Sequence, residues 1–350
     1  MGELLYFIEV LIGGILSGVM YSLVAVGFVL IYKSSGVFNF AQGTMLLFAG
    51  LTFVKLTEQG VSFWYAFSLT LGIMVIMGIL IERFIMRPLA NQSLLSLFMA
   101  TVGLSIFLEG FSQGIWDSAV HGLKLVEFLG EVPDTEEIAA VAANACGVGG
   151  SLLGCLGEQM GVWKAHVISF LATMLSSDPI FLSDYIPGFD VLISSFDIFA
   201  SVVAGSMIII LSIFFQKTRT GMSLRAVSDD HLAAMSVGIP LSRIWAIVWA
   251  VTGIIGLIAG LLWADRISVS FTLTQVVLKG LPVILVGGLT SIPGAILGGF
   301  IIGVSEKLGE IYVADLFGGQ GIENRFGYTC LLYTSPSPRD RTRSRMPSSA

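Results

Sequence analysis

The 23 residues from Val10 to Tyr32 read VLIGGILSGVMYSLVAVGFVLIY and include no charged side chain. A helix of about 20 apolar residues crosses the hydrocarbon core of a bilayer, so this stretch predicts a transmembrane helix. Further apolar runs cover Phe63 to Ile81, Phe199 to Phe215 and Ile244 to Trp263. None shows the polar and apolar alternation of a membrane barrel strand. The sequence therefore predicts an all-α, polytopic transmembrane bundle of about eight spans or re-entrant segments.

The composition excludes an ordinary soluble domain. Of the 350 residues, 55% are hydrophobic and only 12% are charged, whereas charged residues make up about a quarter of a soluble chain. Mean hydropathy is +0.88. Several glycines stand four residues apart within the apolar runs, which predicts helices in close contact: Gly14 with Gly18, Gly256 with Gly260, Gly294 with Gly298, and Gly299 with Gly303.

Basic residues gather in three short polar segments, and such segments remain on the cytoplasmic side of a membrane. The first contains Lys33 and the second contains Arg83 and Arg87. The third, residues 217–243, contains Lys217, Arg219, Arg225 and Arg243. With all three inside, the N-terminus is predicted to lie outside.

Residues 117–190 contain ten acidic side chains and only two lysines, which favours an external loop. Trp163 to Met174 form an apolar helical face within it, which predicts a helix lying in the membrane interface; a poorly marked further span is the alternative. Cys146 and Cys155 either form a disulfide or remain two free thiols.

The sequence has no signature of catalysis. No Gly-Lys pair occurs, so there is no P-loop, and there is no His-Glu-x-x-His or Gly-x-Ser-x-Gly motif. The histidines His121, His166 and His231 are not at metal-ligand spacing. The chain is predicted not to be an enzyme and to bind no cofactor or metal itself.

The basic segment 217–243 predicts a short docking helix. Asp229 and Asp230 suit the first turn of a helix, where the dipole favours negative charge. Leu232, Ala233 and Ala234 continue the helix, and Gly238 ends it before Pro240. The interval from Leu232 to Gly238 resembles a relaxed form of the Glu-Ala-Ala-x-x-x-Gly coupling loop of ABC importer permeases, with leucine where that pattern has glutamate.

Six other stretches make the chain similar to branched-chain amino acid ABC transporter permeases of the LivH type. They begin at Gly18 (GVMYSLVAVGFVLIY), Val37 (VFNFAQGTM), Ile81 (IERFIMRPL), Ser105 (SIFLE), Thr220 (TGMSLRA) and Val286 (VGGLTSIPGAILGG). The segments they anchor cover about two thirds of the chain, in the family's order.

The resemblance implies a permease subunit of an ATP-driven importer, with several spans in a bacterial inner membrane. It also implies the partners: ABC ATPase subunits that use ATP and Mg, a second permease subunit, an external substrate-binding protein and the lipid bilayer, with no nucleic acid. The ATPase-coupling residues would be Asp229, Asp230, Leu232, Ala233, Ala234 and Gly238.

Polar groups within apolar segments are costly, which makes them candidates for a substrate pathway. Asn39 and Gln42 stand where a broken helix would expose backbone to an amino acid; a hydrated position at the membrane boundary is the alternative. Lys279 and Glu109 are the charged candidates, and the alternative for each is an interface position or an ion pair between helices.

The chain thus divides into N-terminal spans (1–116), the acidic external loop (117–190), C-terminal spans with the coupling loop (191–330), and a Ser/Pro/Arg-rich tail (331–350) interpreted as non-native or disordered. Gly287-Gly288 and Ser291 to Gly294 separate two short apolar halves, which predicts a tight hairpin or a plain loop. Three rival functions stay open: a similar permease for urea, amides or sugars, an ion-coupled secondary transporter, and a scaffold protein.

Overall fold

A computed structural model describes residues 2–89, 92–116, 119–123, 125, 179–181, 192–229, 231–238 and 240–313. Most of the predicted external loop, including its interfacial helix and both Cys146 and Cys155, lies outside the described residues. So do Asp230 and the tail 331–350.

The described residues are almost entirely helical. The helices are α1 Gly2–Ser35, α2 Gln42–Glu58, α3 Phe63–Ile81, α4 Arg87–Leu89, α5 Leu94–Trp116, α6 Ser195–Lys217, α7 Arg219–Asp229, α8 His231–Ser236, α9 Leu241–Ile267, α10 Thr272–Leu278, α11 Gly280–Gly287 and α12 Ile292–Leu308. One π-helical turn, Glu82–Met86, joins α3 to α4, and another, Gly309–Val313, extends α12.

Six of these helical segments are long and apolar enough to cross a membrane: Leu4–Ser35, Phe63–Leu89, Leu94–Trp116, Ser195–Lys217, Leu241–Ile267 and Ile292–Tyr312. Backbone groups in a bilayer have no water to bond, so helices that satisfy their own backbone are the expected spanning elements. Two shorter elements, α2 and the pair α10–α11, run among them. The predicted all-α membrane bundle is confirmed.

The first helix, α1, forms the centre of the bundle and is buried along most of its length. It packs antiparallel to α12 through glycines. A Cβ atom added at Gly18 would lie 2.7 Å from the Gly299 carbonyl oxygen, and one at Gly14 would lie 2.8 Å from the Val304 Cα. The two backbones are therefore in direct contact, as the spacing of these glycines predicted.

The same device holds α9 against two other helices. A Cβ atom at Gly260 would lie 2.8 Å from the Leu46 carbonyl oxygen on α2, and one at Gly253 would lie 2.6 Å from the Met74 carbonyl oxygen on α3. Helices α1 and α9 are mostly buried, whereas α3, α5, α6 and α12 leave most of their surface uncovered by this chain. Such uncovered apolar surface suits lipid or a partner subunit.

One end of the bundle, here called the basic end, carries Lys33, Arg87 and Lys217. Lys33 lines a cavity there with Gln216 of α6 and with Ser291, which precedes α12. Indole Nε1 of Trp245 at the start of α9 donates 2.8 Å to the Ser34 carbonyl oxygen at the end of α1. The predicted basic segments therefore meet at one end, which agrees with the sequence-based topology.

Two features escaped the sequence analysis. Strand β1 Pro179–Phe181, within the predicted external loop, pairs antiparallel with β2 Leu192–Ser194, just after that loop. At the end opposite the basic end, His121 and Val269 exchange backbone hydrogen bonds, 3.0 and 2.8 Å long. These contacts tie parts of the long acidic region to the bundle.

Candidate functional site

A non-helical segment, residues 36–41, joins the end of α1 to the start of α2, and Asn39 organises this break. The Asn39 side-chain oxygen accepts from the Ala41 amide at 3.1 Å, and its side-chain nitrogen donates to Gln42 Oε1 at 3.3 Å. Its carbonyl oxygen accepts from the Gln42 amide at 3.2 Å. These bonds satisfy two of the amides that a helix leaves unpaired at its start, so Asn39 begins α2 without a conventional cap.

The interruption lies deep in the bundle. The Gln42 carboxamide nitrogen lies 2.6 Å from where a Cβ on Gly27 of α1 would be, and Ile255 adjoins the same point. Ile255 is close to the middle of α9 (Leu241–Ile267). Asn39 and Gln42 are both fully buried. Both side chains are therefore enclosed by the bundle, and their role in a substrate pathway stays a prediction.

A buried polar atom of Gln42 is left without a protein partner. Its Nε2 group forms no hydrogen bond within the part of the chain that the structure describes. Buried amide groups nearly always have a partner, and a water or ligand supplies it when the protein does not. The site is accordingly polar inside an apolar bundle.

A second helix break, between α10 and α11, lies nearby. Helix α10 ends at Leu278 and α11 begins at Gly280, with Lys279 between them. A Cβ at Gly43 would lie 3.0 Å from the Thr274 carbonyl oxygen on α10, and one at Gly280 would lie 3.3 Å from the Phe28 ring on α1. The start of α2 is thus in contact with α10, and the start of α11 is in contact with α1.

Lys279 does not point into open space. Its ammonium forms an ion pair with Glu306 of α12 and lies 5.9 Å from the centre of the Tyr21 ring. The predicted pathway lysine is therefore engaged by protein groups, which is the ion pair between helices that the sequence left open.

A cavity of about 220 Å³ lies beside the two interruptions. Its polar lining comes from Thr44 at the start of α2, Ser105 and Glu109 on α5, and Thr274 on α10. The remaining lining is apolar apart from Gly43: Phe28, Phe40, Val102, Ile106, Val277, Leu278 and Leu281. This cavity is here called the central cavity. Mostly apolar walls with a few polar groups are typical of a small-molecule site.

The first turn of α2 faces this cavity. Gly43 and Thr44 line it, and among the described residues no acceptor is found for either backbone amide. Unpaired amides and the helix dipole favour negative charge at a helix start. The Thr101 hydroxyl holds the preceding segment against α5 by donating 3.1 Å to the Phe38 carbonyl oxygen.

Of the polar residues that line this cavity, sequence reasoning had singled out Glu109 but not Thr44, Ser105 or Thr274. A hydroxyl in an apolar run gives little signal, because it can return its hydrogen bond to its own helix. Thr44 and Thr274 do so, to the carbonyl oxygens of Ala41 and Phe271. The available signal was a polar residue near an interrupted helix.

The predicted coupling segment forms two helices, α7 and α8, at the basic end. Asp229 is the last residue of α7 and does not lie in the first turn of α8. It is therefore not placed to interact with the α8 dipole in the way that was predicted. Gly238 has a φ of +87° and its amide donates 3.0 Å to the Met235 carbonyl oxygen. The glycine thus ends the helix, as predicted.

The exposed side chains of this segment are not the alanine that the docking-helix prediction included. Ala234 is only 4% exposed and packs inside the chain, whereas Met235 is 47% and Val237 is 81% exposed. Met222 of α7 is also exposed. Of the described side chains, these three apolar groups are the ones this segment offers to a partner.

Most of the chain is similar to known proteins. The sequence model of the family described as "Branched-chain amino acid transport system / permease component" matches residues 10–318. No solved structure gives a significant match.

Three relatives illustrate the similarity. The high-affinity branched-chain amino acid transport system permease protein LivH of Salmonella typhimurium is 24% identical over 326 residues, 89% of each chain. BraD of Pseudomonas aeruginosa, a permease protein of the same description, is 25% identical over 91% of this chain and 90% of its own. The probable permease protein LivH of Methanocaldococcus jannaschii is 27% identical over 88% and 83%.

Proposed function

Because the chain belongs to the branched-chain amino acid transport permease family, we propose that it translocates a branched-chain or related amino acid as the permease subunit of an ATP-driven importer. The central cavity carries this proposal. The first turn of α2 and the end of α10, each next to a helix break, line it, and broken helices are where transporters bind substrate. Such irregular backbone is tolerated only against protein or a water-filled space.

The first turn of α2 suits one end of an amino acid. The unpaired amides of Gly43 and Thr44 would meet the substrate carboxylate, and Asn39 would hold that turn in place. Gln42 has a free carboxamide nitrogen for a water or a polar solute along the same route. Lys279 would support the α10–α11 junction through Glu306.

The energy would come from partner subunits, which bind ATP and Mg, because the sequence has no phosphate loop. Two ATPase subunits, a second permease subunit and an external substrate-binding protein complete the proposed importer in a bacterial inner membrane. The ATPases would dock on α7 and α8, with Asp229, Asp230, Leu232, Ala233, Ala234 and Gly238 shaping the coupling helix. Met235 and Val237 would make the apolar contact, and the chain itself would catalyse no reaction.

A reconstituted complex tests this proposal. Proteoliposomes containing both permease subunits and the ATPases, with ATP on the ATPase side and the binding protein opposite, are expected to accumulate labelled leucine. Competition with unlabelled urea or a sugar separates the similar permeases for other solutes. Accumulation without ATPase subunits would contradict the proposal and indicate a secondary transporter.

The docking surface has its own test. Val237→Asp places a charge on the apolar contact and is expected to reduce co-purification of the ATPase subunits by about tenfold or more, because an unpaired charge at an interface is costly. Tyr65→Asp, also highly exposed but at the start of α3, is the matched control and is expected to retain the ATPases. Equal retention by both variants would place the docking surface elsewhere.

A further inference from the structure

Glu109 of α5 is a partly buried carboxylate in the wall of the central cavity. It stands 15 residues after Leu94, where α5 begins at the basic end, and seven residues before Trp116, where α5 ends. Its neighbours along α5, Phe107 and Phe111, are exposed apolar rings suited to lipid. The carboxylate therefore lies at membrane depth.

A charge in this position needs a partner. An ionised side chain within a bilayer is costly, and such residues nearly always pair or face a pathway. In the part of the chain that the structure describes, Glu109 has neither an ion pair nor a hydrogen bond. The other polar lining groups, Thr44, Ser105 and Thr274, are neutral.

Of the four basic side chains nearest to the cavity in sequence, three are engaged in ion pairs, and the fourth, Lys33, lines a different cavity at the basic end. Lys279 adjoins the lining residue Leu278 but pairs with Glu306. Arg266 on α9 pairs with Asp197 at 3.2 Å, and Lys55 on α2 pairs with Glu58 at 3.0 Å. A cation for Glu109 therefore has to come from outside these pairs.

We propose that Glu109 binds the ammonium group of the transported amino acid. This inference rests on the proposed function and adds the group that recognises the positive end of the solute. Glu109 shares the central cavity with the unpaired amides of Gly43 and Thr44, so a zwitterion there meets opposite charge at each end. The phenylalanine, valine and leucine side chains of the lining accommodate an apolar side chain.

Binding to the purified complex of both permease subunits and the ATPases, without the binding protein, tests this assignment. Labelled leucine is titrated by a scintillation proximity assay, with competition by isoamylamine, which lacks the carboxylate, and by 4-methylpentanoate, which lacks the amine. The wild type is expected to bind leucine and to respond to both competitors. Glu109→Gln is expected to weaken leucine binding by about 10- to 100-fold, the scale of one charge-assisted hydrogen bond.

The competitors distinguish recognition from folding. In Glu109→Gln, competition by isoamylamine is expected to disappear while that by 4-methylpentanoate persists, and Glu109→Asp is expected to recover part of the amine response. Glu58→Gln, which changes a carboxylate in the last residue of α2, is the control and is expected to bind leucine as the wild type does.

Unchanged leucine affinity and amine competition in Glu109→Gln would overturn the inference, as would a wild-type complex that binds no leucine. The proposed function fails differently. If the wild-type complex shows no ATP-driven leucine accumulation, the proposed function is wrong. If accumulation is intact but Glu109→Gln leaves leucine binding unchanged, only this inference is wrong.

Discussion

At Lys279 the chain passes from α10 to α11, and the lysine with its partner Glu306 shows how a charge is kept inside the bundle. The two side chains are 19% and 13% exposed, so water screens them little. The pair joins residues 27 positions apart, on separate elements. A lysine in an apolar segment suggested a pathway from sequence, and its contacts instead indicate a support for the junction.

The ion pair predicts an asymmetric response to substitution. Lys279→Met leaves the mostly covered Glu306 carboxylate unpaired; breaking a fully buried pair costs about 3–5 kcal/mol, and this partly buried pair is expected to cost less. We expect a clearly lower thermal unfolding midpoint in detergent, measured by size-exclusion chromatography after heating. The double variant Lys279→Met with Glu306→Leu is expected to recover much of the loss. A single variant as stable as the wild type would show that the pair contributes nothing.

At the scale of elements, the helices are held together by backbone contact at glycines. Gly18, Gly253 and Gly260 each face a carbonyl oxygen of another helix at a distance that leaves no room for a Cβ. Lipid is as apolar as a leucine side chain, so helices in a bilayer associate through close packing. The helix breaks before α2 and between α10 and α11 depend on this close packing, because α1 and α9 form the surface against which these segments pack.

Two glycines of α1 provide a matched comparison. Gly18→Val introduces a branched side chain against α12 and is expected to destabilise the bundle by about 1–3 kcal/mol, the usual cost of overpacking. Gly13→Val is expected to be close to neutral, because nothing lies within 4 Å of a Cβ there. The unfolding midpoints of the two purified variants measure the difference. Equal midpoints would exclude the direct contact of α1 with α12.

At the scale of the molecule, the basic residues and the coupling helices lie at one end of the bundle. The two helix breaks lie between that end and the opposite one. Helices α6 and α9 adjoin the coupling segment, and α9 packs against α1 and α2, two of the helices that line the central cavity. Movement of the coupling helices would tilt α6 and α9 first. The orientation of the whole bundle in the membrane follows from the basic end.

Cysteine labelling tests that orientation. In a background where Cys146, Cys155 and Cys330 are replaced by serine, Val237→Cys is expected to react with a membrane-impermeant maleimide only in inside-out vesicles. Gln59→Cys, an exposed position just after α2, is expected to react only in right-side-out vesicles. The reverse pattern would place the coupling helices outside and remove the basis for ATPase docking.

The sequence by itself determined the membrane class, the long helices, the common side of the basic segments and the family. These are local properties, since an apolar run must satisfy its backbone within its own helix. The glycine spacing likewise identified contact faces such as Gly14 and Gly18, because four residues bring side chains to one face.

Only the tertiary structure decided the burial of Asn39, Gln42 and Ala234, the partner of Lys279, and the contact of Thr274 with Gly43 beside Glu109. Each depends on which distant segments touch. In an apolar chain many pairings satisfy the bilayer almost equally well, so composition and periodicity carry little information about which helices become neighbours. Direct backbone contact at a few glycines selects among them, and those contacts exist only in the assembled bundle.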